Sequence, residues 1–430
     1  MAHPTQEGLV RVIRRWDLVA MATNAIIGAG IFGLPSVVFQ RIGVYSLFAF
    51  VACAIVATLI ILCFAEVASR FTGTGGPYIY AREAFGPFVG FEVGWLIWIA
   101  RMTAFAANCN LLVGYLGFFW PGAESAVGRV ATIGVVVLGL TAVNLVGVRN
   151  ATVVGNVFTV AKLLPLLLFV GVGLFFIQRG NFTLPARPPF GEFSASVLLL
   201  IYAFTGFEMA TISGGEATDP RRDVPPALLI AIGIVAVLYF LIQVVAIGTL
   251  PELAGSARPI ADAGVGFLGV IGGTIITAGA VVSIVGNLNV IMLVGARLPF
   301  AMAERGELPR IVARTHPRYH TPHIAIVLTA ALVLALTLSG TFVYAATISV
   351  IARLLSYAST CAALPVLRRK SGAPGAAFTA PAGVAASAAA LLLIGWLLAH
   401  SSMGQARDAA IAVAAGLLIY FIPRMAVRRR

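Results

Sequence analysis

Long apolar runs recur along this chain and leave little room for anything else. They fall at residues 16–39, 44–68, 88–118, 130–148, 153–177, 194–215, 227–250, 266–297, 323–338, 341–367, 381–399 and 409–422, with short turn-rich connections between them. A helix crosses the hydrocarbon of a bilayer in about 20 residues. The pattern therefore predicts an all-α integral membrane protein with about twelve transmembrane helices. Only 10% of the 430 residues are charged, against roughly a quarter in a soluble domain. That is too few to cover a soluble core of this size. A soluble globular enzyme, a disordered chain and a disulfide scaffold are excluded on this ground.

Charge sets the expected orientation. The formal net charge is +13, from 29 basic and 16 acidic residues. Nucleic-acid binding would suit that balance, but arginine-rich cytoplasmic loops explain it better. With residues 1–15 inside, twenty cations fall on the cytoplasmic side and six outside, while Arg101, Lys162 and Arg353 fall within spans. Arg11, Arg14 and Arg15 at one end, and Arg424 and Arg428–Arg430 in a basic tail (423–430) at the other, place both termini in the cytoplasm. The expected location is an inner or plasma membrane. The first run is interrupted by glycines and does not end in a cleavage site, so it reads as a retained span rather than a signal peptide. The longest connection, around 298–322, predicts a short amphipathic helix at Pro299–Glu307 and leaves no room for a sizeable sensor domain.

Other chemistries find no support. Cys53, Cys63, Cys109 and Cys361 lie in apolar stretches without metal-ligand spacing. His316, His320 and His323 sit in a Pro-rich connection with no acidic partner between them. Asn181-Phe-Thr183 is a weak glycosylation pattern. No Walker loop, catalytic elbow or metalloprotease helix occurs. No enzyme activity, cofactor, metal or nucleic-acid partner is expected, and nothing signals an oligomeric state.

Two helices are predicted to break in mid-membrane. The first run reads Asn24-Ala-Ile-Ile-Gly28-Ala-Gly30-Ile-Phe-Gly33-Leu-Pro35. Each glycine weakens a helix, so the cluster predicts an unwound stretch. A tight helix crossing, which small residues also permit, is the alternative. The sixth run carries Tyr202-Ala-Phe204-Thr-Gly206-Phe-Glu208, then Gly214-Gly215-Glu216. Interruptions at matching positions in two halves favour an inverted-repeat transporter with its site at the breaks. The half-helix beginning near Gly28–Gly30 presents free N–H groups and a positive dipole end, which suit a carboxylate. Carbonyls freed before each break suit an ammonium. One centre then accepts both ends of an amino-acid zwitterion.

Lys162 lies inside the fifth run, in Val157-Phe-Thr-Val-Ala-Lys162-Leu-Leu-Pro165, and the one other lysine is Lys370 in a loop. Lysine loses its proton when buried far more readily than arginine does. Lys162 reads as a proton carrier or as a fixed cation replacing sodium. The alternative, snorkelling, requires its stem to cover about nine residues of helix, roughly 13 Å. Glu208 reads either as a gate or proton acceptor, or as a carboxylate satisfying broken-helix N–H groups and pairing with an arginine. Arg101 and Arg353 are expected to pair with Glu208 or with free carbonyls. Tyr202 and Phe204 read as aromatics that close over a substrate, or as packing. Glu66 and Glu92, near span ends, read as structural.

At these residues the chain resembles the amino acid–polyamine–organocation family of permeases over nearly its whole length. The segments that carry the resemblance are Gly28–Gly33, Phe64–Phe71 with Gly75–Arg82, Tyr202–Glu208 with Glu216–Pro225, and Ala301–Pro309 with Thr321-Pro322. The resemblance implies a LeuT-like five-plus-five inverted repeat, with 16–177 and 194–367 as the repeats and 381–422 as two trailing helices. It implies that the N–H groups of Gly28, Ala29 and Gly30 bind a carboxylate and that the carbonyls of Ile26, Tyr202 and Thr205 take the amine. Tyr202 matches a gating aromatic. Lys162 matches a lysine that occupies the sodium position in sodium-independent members, with Ser283 facing it. Tyr202 stands where many members carry Phe or Trp, and Ala29 where several carry serine. Thr205 and Glu208 add polarity beside the side-chain pocket.

The expected function is sodium-independent amino-acid permeation by alternating access. Proton symport is the leading form, with Lys162 or Glu208 changing protonation. Exchange of an amino acid for its decarboxylated amine is the alternative, since Glu208 suits a cation. A membrane sensor that binds amino acids without moving them is the rival of another class.

Overall fold

A computed structural model describes residues 13–428 except 74, 147–150, 185, 213–215, 305, 307 and 320, and describes 151–161, 301 and 422–428 by their backbone alone. Arg11, Arg149, Gly214, Gly215, Arg305, Glu307, His320, Arg429 and Arg430 lie outside the described residues. So do the side chains of Arg424 and Arg428.

Hydrocarbon offers backbone groups no partner, so an apolar chain in a bilayer satisfies them within helices. Most of the described residues are accordingly helical, and none forms a strand. The first helices are α1 (Arg15–Ile26), α2 (Gly30–Ile42), α3 (Ser46–Ala68), α4 (Pro77–Phe85) and α5 (Pro87–Leu116). They continue with α6 (Ala126–Val146), α7 (Ala151–Gly173), α8 (Phe190–Phe204), α9 (Glu208–Ile212) and α10 (Pro220–Thr249). The last are α11 (Pro259–Glu304), α12 (His323–Ser339), α13 (Phe342–Arg369), α14 (Gly383–Ala399) and α15 (Met403–Arg428).

Each predicted apolar run is mainly helical where it is described, with the first and sixth interrupted at 27–29 and 205–207. The stretches 30–68, 87–116, 126–146, 220–249, 259–304 and 342–369 are long and apolar enough to cross a bilayer, and α14 and α15 qualify together across a bend of 117°. Large apolar side chains on the outer helices face outward, Val135 at 73% and Ile271 at 77% exposure among them. In a soluble fold they would be a liability; in a bilayer they meet lipid.

Two elements differ from the sequence reading. The helix expected at Pro299–Glu307 is not separate, because α11 runs through Pro299 to Glu304. Ala303 and Phe300 pack there against Val312 and Ile326, and that burial offsets the hydrogen bond the proline removes. The segment after α3 is not all loop. Gly76, at φ +54°, turns the chain so that Pro77 opens α4.

The interior is arranged around two interrupted helices. The α1/α2 pair and the α8/α9 pair pack on each other, α2 against α8 and α1 against α9. Helices α3, α10, α11 and α13 pack against them. The start of α1 is tied down as well. Ile13 N–H donates to the Glu216 carbonyl (3.1 Å), Thr218 N–H donates to the Ile13 carbonyl (2.9 Å), and Arg15 pairs with Asp223 (3.0 Å).

Glu66 is structural, and its geometry shows why. It sits at the end of α3, where Arg368 Nε and Nη2 donate to it at 2.7 and 2.6 Å, Arg70 at 3.4 Å and Ala380 N–H at 2.9 Å. One buried carboxylate thus joins α3, α13 and the segment leading to α14. Glu92 lies against Trp95 and Gly416, its buried oxygens without a hydrogen-bond partner. Truncating Glu66 strands two guanidiniums, so Glu66→Ala is expected to lower stability by about 3 kcal/mol, read as a lower Tm in detergent.

Candidate substrate site

Both predicted breaks are present. Residues 27–29 separate α1 from α2, and residues 205–207 separate α8 from α9. Gly28 N–H turns back to the Ile26 carbonyl at 2.7 Å. Thr205 leaves the helix at ψ 166°, and Gly206 follows at φ +110°, a region that favours glycine. The two breaks touch through residues without side chains. A Cβ on Gly206 would lie 2.3 Å from the Ala25 carbonyl oxygen, and one on Gly30 would lie 2.9 Å from Ala203 Cα. The glycines are therefore both helix breakers and the means by which the two backbones approach. The tight-crossing alternative is thus present together with the unwinding.

A cavity of about 280 Å³ opens at this junction. Gly28, Ala29 and Gly30 line it from the first break, and Tyr202, Thr205 and Glu208 from the second. Lys162 and Ser283 line it from α7 and α11. The structure thus brings together most of the residues singled out from sequence. Phe204 is the exception among the aromatics. It is buried edge-on against Tyr239, at 5.3 Å between ring centroids, and is not in the lining.

Lys162 does not snorkel. Its ammonium donates to the carbonyls of Asn24 and Ile27, the latter at 2.7 Å. These are the carbonyls that unwinding leaves without helical partners, and a cation is what they suit. Ser283 Oγ and Asn24 Oδ1 are buried nearby on the lining without hydrogen-bond partners.

Glu208 is held from three sides. Arg353 Nη1 donates to it at 2.6 Å, Tyr357 hydroxyl at 2.7 Å and Gly206 N–H at 3.0 Å. It satisfies the broken helix and pairs with an arginine at once. Arg101 is not its partner. Arg101 Nη2 donates instead to Met209 Sδ at 3.0 Å.

Several site residues escaped the sequence reading. Tyr239 on α10 directs its hydroxyl to the Ile26 carbonyl (3.1 Å) and the Ala203 carbonyl (3.2 Å), bridging the two breaks. Tyr202 hydroxyl donates to Asn108 Oδ1, and Asn287 lies within 2.8 Å of where a Gly28 Cβ would sit. The amides Asn108 and Asn287 in apolar spans were a usable signal. Tyr239 was not, because a lone tyrosine in an apolar run reads as packing.

The chain matches the model of a known family, described as amino acid permease, over residues 13–422. It belongs to the amino acid permease family, within the amino acid–polyamine–organocation superfamily. It is similar to a serine/threonine exchanger of Bacillus subtilis, 28% identical over 97% of this chain and 98% of that protein. It is also similar to uncharacterized transporters of Mycobacterium tuberculosis and Mycobacterium bovis, 32% identical over 74% of this chain and 72% of theirs. The permease is a multi-pass membrane protein, as its apolar helices require.

Because the Gly206 Cβ position is occupied by backbone, Gly206→Ala must move one break away from the other. It is expected to lower stability by more than about 2 kcal/mol and to weaken substrate binding at least tenfold. Thermal unfolding and ligand titration of the purified protein check both.

Proposed function

We propose that this chain is a sodium-independent amino-acid permease that works by alternating access. The observation that carries this reading is the Lys162 ammonium on the Asn24 and Ile27 carbonyls. It occupies the place where an unwound helix would otherwise offer oxygens to a metal cation. In this reading the N–H groups of Ala29 and Gly30 take the substrate carboxylate, and that of Gly28 joins them by leaving the Ile26 carbonyl, to which it donates at 2.7 Å. The Ile26 carbonyl already accepts from Gly28 N–H and Tyr239. The Tyr202 carbonyl likewise accepts from the Thr205 N–H and hydroxyl. Of the three carbonyls of Ile26, Tyr202 and Thr205 read as taking the ammonium, that of Thr205 is therefore the least engaged, and Tyr202 closes the site.

The proposed organisation is twelve spans with both termini cytoplasmic, residues 16–177 and 194–367 forming inverted repeats and 381–422 following them. The packing supports this. Helix α5 packs on α13 as α11 packs on α7; α3 packs on α8 as α10 packs on α1; α12 packs on α5 as α6 packs on α11. Exchanging the two proposed repeats converts each of these pairs into the other.

Coupling is read as proton symport through Lys162, a lysine at a position where losing a proton frees the first break. Glu208 is less suited to that role, being held by Arg353, Tyr357 and Gly206. Exchange is the second reading, favoured by similarity to the Bacillus subtilis serine/threonine exchanger. Sealed proteoliposomes without sodium distinguish the two. Accumulation driven by an inward proton gradient is the symport result. Uptake only into preloaded vesicles, indifferent to the gradient, is the exchange result. Lys162→Ala is expected to slow transport at least tenfold in either case. A wild-type rate with wild-type pH dependence in that variant would sink the role given to Lys162.

A further inference from the structure

The cavity carries more positive charge than a zwitterion requires. Its lining contains three cationic side chains, Arg101, Lys162 and Arg353, and one carboxylate, Glu208. Lys162 rests on two carbonyls, and Arg353 is paired with Glu208. Arg101 has no such partner. It is 5% exposed, bonded to the sulfur of Met209, and forms no ion pair among the described residues. A thioether is a weak acceptor and carries no charge. An arginine at this depth, midway along α5, is costly without an anion. Arg353 Nε is a second buried donor without a partner at the same place.

A bound zwitterion leaves this imbalance as it is. Its carboxylate and ammonium are matched by the helix breaks and sum to zero. A second carboxylate on the substrate would neutralise Arg101, and the planar guanidinium fork suits a carboxylate in two-point contact. The position fits. Arg101, Ala104 and Asn108 line the cavity at helical spacing on one face of α5. Asn108 holds the Tyr202 hydroxyl at the second break. Arg101 lies about two turns further along that stripe, roughly 10 Å away along the helix axis. A side chain extending from the helix breaks along α5 would meet it. Glu208 offers no counter-argument for a cationic substrate, because its oxygens are taken by Arg353, Tyr357 and Gly206 N–H.

We propose that the substrate is an amino acid with an acidic side chain, and that Arg101 binds its side-chain carboxylate. This rests on the permease reading and narrows it. Glutamate with glutamine, and aspartate with asparagine, are probes of matched shape and different charge. The purified full chain is titrated with each in detergent, following thermal stabilisation, and the same four are offered to proteoliposomes, empty and preloaded. The acids are expected to act at concentrations at least tenfold below their amides. In Arg101→Gln that preference is expected to fall at least tenfold, and in Arg101→Lys to be partly retained. A wild-type protein that handles the amides as well as the acids overturns the proposal, whether or not the variants fold. Stabilisation by acetate equal to that by glutamate also overturns it, as a free-anion site. Transport of neutral or basic amino acids without the acids overturns it while leaving the permease reading in place. Failure of every amino acid class to bind or move defeats the permease reading itself.

Discussion

Backbone polar groups without helical partners, held inside hydrocarbon, are the constraint on which the rest of this structure depends. Unwinding residues 27–29 and 205–207 frees carbonyls and N–H groups where water cannot reach them freely. The surrounding helices answer that demand one group at a time. Lys162 from α7 takes the carbonyls of Asn24 and Ile27. Tyr239 from α10 spans Ile26 and Ala203. Glu208 covers Gly206 N–H and is itself steadied by Tyr357 and Arg353 from α13. Each partner comes from a different helix, so the bundle assembles around the breaks.

The same groups that stabilise the breaks make them useful. Ends of half-helices are sites of fixed partial charge that cost no reorganisation when a charged ligand arrives. A continuous helix at either place would have no free donor or acceptor to offer. The glycines let the two half-helix pairs approach within van der Waals distance, so residues of both breaks line one cavity. Moving a charge away from a break, as protonation change at Lys162 would, alters the balance that holds the two pairs together.

Charge placement in the interior follows a related economy. Glu66 at the edge of the bundle is matched by two arginines and a backbone N–H, and Glu208 at the centre by one arginine and a tyrosine. Arg101 departs from this pattern: its hydrogen bond goes to a sulfur, and the charge of Glu208 reaches it only from beyond contact distance. A departure on the wall of a cavity, among otherwise matched charges, points to the ligand rather than to the fold.

Much of this was legible in the sequence. Hydropathy alone predicted the helical stretches, because lipid permits few other solutions for an apolar chain. The glycine clusters and the ionisable residues in apolar runs located both breaks and most of the cavity lining: Gly28, Gly30, Lys162, Tyr202, Thr205 and Glu208. What remained hidden depended on rotation and on contacts between distant helices. Phe204 and Tyr202 are two residues apart in one helix, yet one turns into the core and the other into the cavity. Glu208 had two candidate arginines, and only the packing of α13 and α5 around α9 selected Arg353. Tyr239 gave no signal, since its hydroxyl acquires meaning only when two breaks meet beside it. The sequence by itself determined which segments enter the membrane, where their helices fail and which charges are carried inside. The tertiary structure decided which of those charges are neutralised and which is left facing the cavity, because hydrogen bonds act over about 3 Å and hydropathy says nothing about which helix face meets which.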